Sequence, residues 1–454
     1  MPRLFAVECA NVKEFPHMIG RFVLAAAFVA ATFSSAPPAA AADTTTVYVP
    51  PFYESVAAMA PVGKLGSVIK EESISTTIPG ARAWRIAYIS SDQMGKKTIA
   101  TGIVVAPAGA APKDGRPVVA WAHGTTGTAQ NCGPSQEVNP AQPLNEYFLI
   151  GGNSTTDYGL PAVQRFINDG YVVVGTDYQG QGGGGNHQYM VTGTQAHDLI
   201  DSIRAAGDMK EVGAGKKAVI YGWSQGGGAV LTALSLPEYI AQTGTAFDGI
   251  ELVGAVGLAP ADVAATVPSP PTDEASAEKM LAQQNATFGD NVFQFAHLAM
   301  TLWALPGVYP DLHLTDVFTP EGAQAIDRIM TGKCVHSAAD TINYVYGASF
   351  MSLMNPQATN ALAWSKAIIA SSVPNVKPVA PIIIYWGTAD VTVPPVMGEL
   401  YRKQMCAMGA NVARVQLPGS QTHYTTPPVA EPLYVPWVED RFAGKPAQDG
   451  CAAP

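Results

Sequence analysis

From residue 117 to residue 258 the chain keeps switching its hydrophobic period. Short β-branched runs at 117–122, 171–174, 218–221 and 250–258 alternate with stretches of helical spacing at 160–168, 194–209 and 225–236. A strand that reaches its neighbour through a helix runs parallel to it, and a parallel sheet buries its apolar residues only when helices cover both faces. The pattern therefore predicts an α/β fold on a mostly parallel sheet. Ahead of it, 83–90 and 98–106 have strand composition and flank the polar turn Ser91-Asp92-Gln93-Met94-Gly95, which predicts an antiparallel edge hairpin.

Around Asp262 the alternation breaks, and it stays broken to about Pro374. This span holds a Pro/Ser/Thr stretch at 266–272 and then helical patterns such as 291–305. The expectation is an inserted, largely helical cap at 262–375 over a core made of 43–261 and 376–454. Strand and helix patterns resume at 381–386, 396–408 and 413–417.

The first 42 residues stand apart from this scheme. Arg21, the apolar run 22–33 and the small residues Ala40-Ala41-Ala42 follow the order of a secretory signal, with cleavage expected after Ala42 and secretion to the periplasm or the medium. The apolar run is short for a bilayer-spanning helix. Mixed polarity before Met18 leaves Met1 and Met18 both open as the start. Cys9 goes with the leader, and the remaining Cys132, Cys334, Cys406 and Cys451 read as two disulfides in an exported chain, with three pairings open. No Cys-x-x-Cys or His-x-x-x-His spacing occurs, so no metal site is expected. A formal net charge of −10 argues against nucleic acid as a partner.

One strand-to-helix junction carries chemistry. Residues 218–221 lead into Gly222-Trp223-Ser224-Gln225-Gly226, and small residues at 227–233 can open a helix. A serine on so tight a turn has a strained backbone, and glycines beside it let neighbouring chain pass close by. The turn lifts the hydroxyl off the sheet, while the N–H of Gln225 at the helix start points where an oxyanion would form.

Such a nucleophile needs a base, and the base needs an acid, in the chain order Ser, acid, His. The strand at 382–386 ends in Gly387-Thr388-Ala389-Asp390, and the strand after it leads to His423, the only histidine beyond Asp390. Taken singly, Asp390 is an ordinary turn cap and His423 an ordinary loop histidine. Together, in the required order and each just past a strand, Ser224, Asp390 and His423 form a catalytic triad.

Asp177 ends a strand but precedes the serine, so it reads as a structural or pocket residue. His123-Gly124-Thr125-Thr126-Gly127 follows the strand at 118–122 and is expected to supply the second oxyanion N–H from Thr126 or Thr125; His123 reads as structural. Residues 180–185 match Gly-x-Gly-x-x-Gly without an immediate helix, which favours a mobile loop beside the pocket over a nucleotide site, and no cofactor is expected. Phe293, Phe295, Met300 and Trp303 read either as an acyl-facing lid surface or as the cap packing on itself.

With these residues in place, the chain resembles the secretory lipase family. The resemblance rests on Asn131-Cys132-Gly133-Pro134-Ser135, Gly170-Tyr171-Val172-Val173, the Ser224 pentapeptide, Asp390 with Val393-Pro394, Cys406-Ala407-Met408-Gly409-Ala410-Asn411, and His423. It implies an α/β-hydrolase fold with a helical cap and action on carboxylic esters, including acylglycerols, with a lipid–water interface as a further candidate partner. It also implies pairing of Cys132 with Cys334 and of Cys406 with Cys451, and oxyanion roles for Gln225 and Thr126. The chain departs from fungal members, which have an acidic segment where His123-Gly124-Thr125-Thr126-Gly127 stands here. Two other readings of the residues are a serine peptidase using the same triad and a catalytically silent binding protein on a hydrolase scaffold.

Overall fold

The computed structural model describes residues 47–452 apart from 265, 266 and 268. The expected signal at 1–42 lies outside the described residues, as does Thr266 at the head of the Pro/Ser/Thr stretch.

Nine strands form one mixed sheet in the order β1-β2-β3-β5-β4-β6-β7-β8-β9. They are β1 (Val68–Ile74), β2 (Ala81–Ser91), β3 (Lys97–Pro107), β4 (Arg116–Ala122), β5 (Val172–Gln179), β6 (Ala214–Trp223), β7 (Glu251–Leu258), β8 (Ile382–Trp386) and β9 (Val412–Gln416). The first three join antiparallel to one another and to β5, and every pairing from β5 through β9 is parallel. Side chains alternate between two cores: along β4, Val118, Ala120 and Ala122 enter one, and Val119 and Trp121 enter the other.

The first core is covered by α3 (Thr192–Asp208) and α4 (Gln225–Ala233), the second by α2 (Val163–Asn168) and α13 (Thr426–Phe442). The remaining helices are the short α1 (Pro51–Ala57) and α5 (Pro237–Ile240), and α12 (Val396–Ala407), together with the six that lie between β7 and β8. Those six are α6 (Glu274–Phe288), α7 (Val292–Ala304), α8 (Leu314–Val317), α9 (Pro320–Gly332), α10 (Val335–Tyr346) and α11 (Ala361–Ala370). They enclose an apolar core of their own, with Phe295, Met300, Phe318, Ile326, Ile342 and Trp364 fully buried in it.

Three local expectations need correction. The β2–β3 hairpin is not the edge, because β1 pairs outside it. Lys70-Glu71-Glu72 in β1 masked its strand character, and such charges suit an edge strand that must resist further pairing. The helix expected from residue 160 begins only at Val163, since Ala162 takes a left-handed φ of 57° and breaks the turn. Helix α13 was missed because Pro432 and Pro436 lie inside it and each removes a helical hydrogen bond. Burial of Ala430, Tyr434, Val435 and Val438 against the sheet outweighs that loss.

Register fixes where the functional loops emerge. Ala122 lies beside Gly222, Trp223 beside Leu258, and Leu258 beside Tyr385. The carboxyl ends of β4, β6, β7 and β8 thus align along one rim of the sheet, the usual place for a site in an open parallel sheet.

Candidate active site

Ser224 sits between β6 and α4 with φ 56° and ψ −118°, a backbone state that side-chain-bearing residues rarely occupy. Three backbone hydrogen bonds hold it there. Its N–H donates to Leu258 O at 3.0 Å, and its carbonyl accepts from Gly228 N at 3.2 Å and Ala261 N at 3.0 Å. Both flanking glycines are required, since a Cβ on Gly226 would run into the Ala122 carbonyl and one on Gly222 into the Gly226 carbonyl.

Asp390 and His423 meet across the rim. Asp390 Oδ1 accepts from the N–H groups of Thr392 at 3.0 Å and Val393 at 2.8 Å, which locks the carboxylate. Its Oδ2 lies 2.8 Å from His423 Nδ1. A carboxylate only accepts, so Nδ1 carries the proton and Nε2 presents a lone pair. That Nε2 is buried and has no hydrogen-bond partner. Trp223 braces the ring, with centroids 5.1 Å apart, and its Nε1 donates to the His423 carbonyl at 3.2 Å.

Two cavities meet at Ser224. One, the smaller, is lined by Ser224 and His423 together with Thr125, Asp157, His297 and His336. The other is mainly apolar, with Met190, Phe288, Leu298, Leu302, Ile368 and Met397 in its wall.

The loop after β4, expected to supply an oxyanion N–H, is anchored from both sides. Thr126 is fully buried, its Oγ1 accepting from Gln181 Nε2 at 3.0 Å and its carbonyl accepting from Val335 N at 2.9 Å. Thr125, not Thr126, lines the smaller cavity, and its Oγ1 lies 2.8 Å from the Tyr189 hydroxyl. Cys132 is joined to Cys334 with Cα atoms 5.4 Å apart, and Cys406 to Cys451 with Cα atoms 5.6 Å apart. The first bond ties the segment after β4 to the start of α10, where Gly127 also forms a β-bridge with Cys334.

Other expected residues fall elsewhere. The glycine-rich run at 180–185 lines neither cavity; Gly182 lies against Tyr53 and Gly183 against Ile99, so the run is built into the wall beside β3 and α1. Asp177 is a brace that accepts from Thr101 Oγ1 at 2.8 Å and Ser135 N at 2.9 Å. His123 gives its Nδ1 proton to Gly124 O at 2.6 Å, and burial pushes it down to about 4, so it is neutral near pH 7. Of the four lid candidates only Phe293 lines the smaller cavity; Phe295 and Met300 are fully buried in the helical core, and Trp303 donates to Asp327 at 2.8 Å.

Sequence reasoning missed Asp157, His297 and His336. Burial pushes Asp157 up to about 7, and burial pushes both histidines down to about 4. No motif marks them; the one available signal was His297 set among apolar residues in the predicted helical stretch 291–305. Among the described residues no group of three or more His, Cys, Asp or Glu is placed to hold a metal ion, and no helix is long and apolar enough to cross a membrane.

Comparison with known proteins agrees with this architecture. The model of the secretory lipase family matches residues 151–450. Lipase 6 of Candida albicans is 24% identical over 399 residues, covering 84% of this chain and 77% of that protein. Candida antarctica lipase A in its closed state superposes with a TM-score of 0.64 at 18% identity, covering 90% of this chain and 88% of that one. A rice cell wall degrading esterase from Xanthomonas oryzae superposes with a TM-score of 0.60 at 19% identity, covering 84% and 98%. At such identities the superpositions speak for the fold, which is that of the α/β-hydrolases.

Proposed function

The chain belongs to the secretory lipase family and is a carboxylic-ester hydrolase, and we propose that it cleaves acyl esters through Ser224, His423 and Asp390 by way of an acyl-enzyme. His423 Nε2 takes the Ser224 proton as Oγ attacks the ester carbonyl carbon. Asp390 keeps Nδ1 protonated and stabilises the imidazolium that forms. The negative oxygen of the tetrahedral intermediate is held by the N–H groups of Gln225 and Thr126. The imidazolium then protonates the leaving alcohol, the acyl group stays on Ser224, and a water activated by His423 releases the acid.

The observation that carries this reading is His423 itself, fixed through Nδ1 by a locked carboxylate while Nε2 stands buried and unmatched in the cavity that Ser224 lines. The mainly apolar cavity suits the acyl half of the substrate. The helices between β7 and β8 serve as a cap over the sheet core. Exposed Phe148 and Ile150 near the smaller cavity, with Phe148 against Phe293 and Tyr424, fit substrate arriving from a lipid–water interface outside the cell.

The test is hydrolysis of p-nitrophenyl esters from two to sixteen acyl carbons, with and without emulsified triglyceride, alongside labelling by a fluorophosphonate. Hydrolysis and labelling that both vanish in Ser224→Ala are expected. Labelling that survives the substitution would place the nucleophile elsewhere.

A further inference from the structure

The two cavities at Ser224 differ in kind. The smaller cavity is lined by His336, which is 7% exposed and has neither ring nitrogen hydrogen-bonded. The ring is clamped flat between Tyr147, at 3.9 Å and 17°, and Phe293, at 5.9 Å and 8°. Stacking satisfies the faces of an imidazole and does nothing for the nitrogens on its rim. A buried polar atom left without a partner is destabilising, so a site that keeps two of them in one cavity wall is built for a partner that arrives with the ligand.

Asp157 lines the same cavity, its Oδ1 accepting from Tyr147 N at 2.7 Å. Tyr147 therefore links the two residues, stacking on His336 while its N–H positions Asp157. With His336 held neutral by burial, one nitrogen donates and the other accepts. A hydroxyl group, which does both, complements that pair, and an alkyl chain complements neither nitrogen.

Resting on the reading of Ser224 as nucleophile, we propose that His336 and Asp157 form a leaving-group subsite that selects esters whose alcohol half carries free hydroxyls, such as partial glycerides and other small polyol esters. The acyl chain occupies the apolar cavity, the ester carbonyl sits at Ser224, and the alcohol half enters the smaller cavity, where its hydroxyls meet His336 and Asp157. A plain alkyl alcohol of the same length leaves those polar atoms unmatched and is handled less well.

The experiment compares kcat/KM for glycerol 1-monooctanoate and propyl octanoate, which share an acyl chain and differ only in the hydroxyls of a three-carbon alcohol. Because both esters are measured on the same protein sample, the ratio is insensitive to the fraction of active enzyme. A preference for the glycerol ester of roughly tenfold to a hundredfold is expected in the wild type. His336→Phe, which keeps a stacked ring and removes both nitrogens, should bring the ratio close to one. Asp157→Asn, which keeps an acceptor for Tyr147 N–H, should lower it several-fold and decides the matter if His336→Phe does not fold. A wild-type ratio near one, or a preference that survives both substitutions, overturns the subsite while leaving the triad standing. Failure of the wild type to cleave either ester overturns the triad and the subsite together.

Discussion

Ser91 and Ser224 each stand at the end of a strand with a histidine close by. At Ser91 the contact is the tighter one on paper, with Oγ 3.2 Å from His197 Nδ1. Yet that same nitrogen also faces the carbonyls of Ser91 at 3.2 Å and Asp92 at 3.1 Å, so it is a donor and cannot take a proton from the serine. Ser91 Oγ is further engaged by the Tyr239 hydroxyl at 3.0 Å, and the His197 ring stacks on Tyr239 at 3.7 Å. The neighbouring carboxylate, Asp198, accepts from Gln179 N at 2.8 Å rather than orienting the histidine. At Ser224 the backbone is strained, the carboxylate is on the histidine, and the far nitrogen is left unmatched beside a cavity. A Ser–His pair whose shared nitrogen is already committed as a donor to backbone carbonyls is architecture; a reactive pair needs a nitrogen left with a lone pair to accept the proton.

The largest expected effect separates the two serines. Ser224→Ala should lower kcat by about 10⁴-fold or more, whereas Ser91→Ala should stay within about twofold, both read with p-nitrophenyl octanoate. The opposite outcome would reverse the comparison. Next, Asp390→Asn should cost about 10³- to 10⁴-fold in kcat through the wrong His423 tautomer, with the fold intact by circular dichroism. Replacing Cys132 and Cys334 together by serine should destabilise the protein by about 2–5 kcal/mol in guanidinium unfolding, with the oxyanion loop the first region to lose hydrogen-exchange protection.

A smaller effect concerns pH. Burial raises Asp157 to about 7, Asp198 to about 8 and Glu146 to about 9. The folded state keeps protons that the unfolded chain releases, so this stability is fully present in acid and is lost as pH rises through those values. His297 and His336, pushed down to about 4, act in the other sense and lose stability as pH falls below about 6.5. The two trends offset each other in acid, and the net fall appears between about pH 6.5 and 9. The thermal midpoint should drop there by on the order of 5 °C, and Glu146→Gln should flatten the drop. Smallest of all, Ser91→Ala should lower stability by about 1 kcal/mol, the value of its hydrogen bonds, without changing the pH profile of hydrolysis.

How far the sequence carries depends on whether a residue's role is set locally. Ser224, Asp390 and His423 could be picked out as candidates because each follows a strand whose composition is legible, and parallel register brings those strand ends together. Strand β1 hid behind Lys70-Glu71-Glu72, and α13 hid behind its prolines, because pairing and packing overrode local preference. Asp157 comes from an irregular loop and His336 from a helix of the insertion. Their meeting depends on how that insertion seats on the sheet, which no spacing in the sequence encodes.

The bond between Cys132 and Cys334 spans 202 positions of sequence and fastens the insertion to the sheet at one corner, two residues from His336. A covalent strap of this kind acts as a pivot. Thermal motion cannot lift the insertion at that corner, so any widening of the enclosure is lopsided, growing with distance from α10 toward α6 and the apolar wall. On the proposed placement of substrate, such a hinge would let the enclosure stretch for acyl chains of different length while the alcohol side stays stiff. Tolerance toward one half of the substrate and strictness toward the other would then follow from where a single sulfur–sulfur bond was placed.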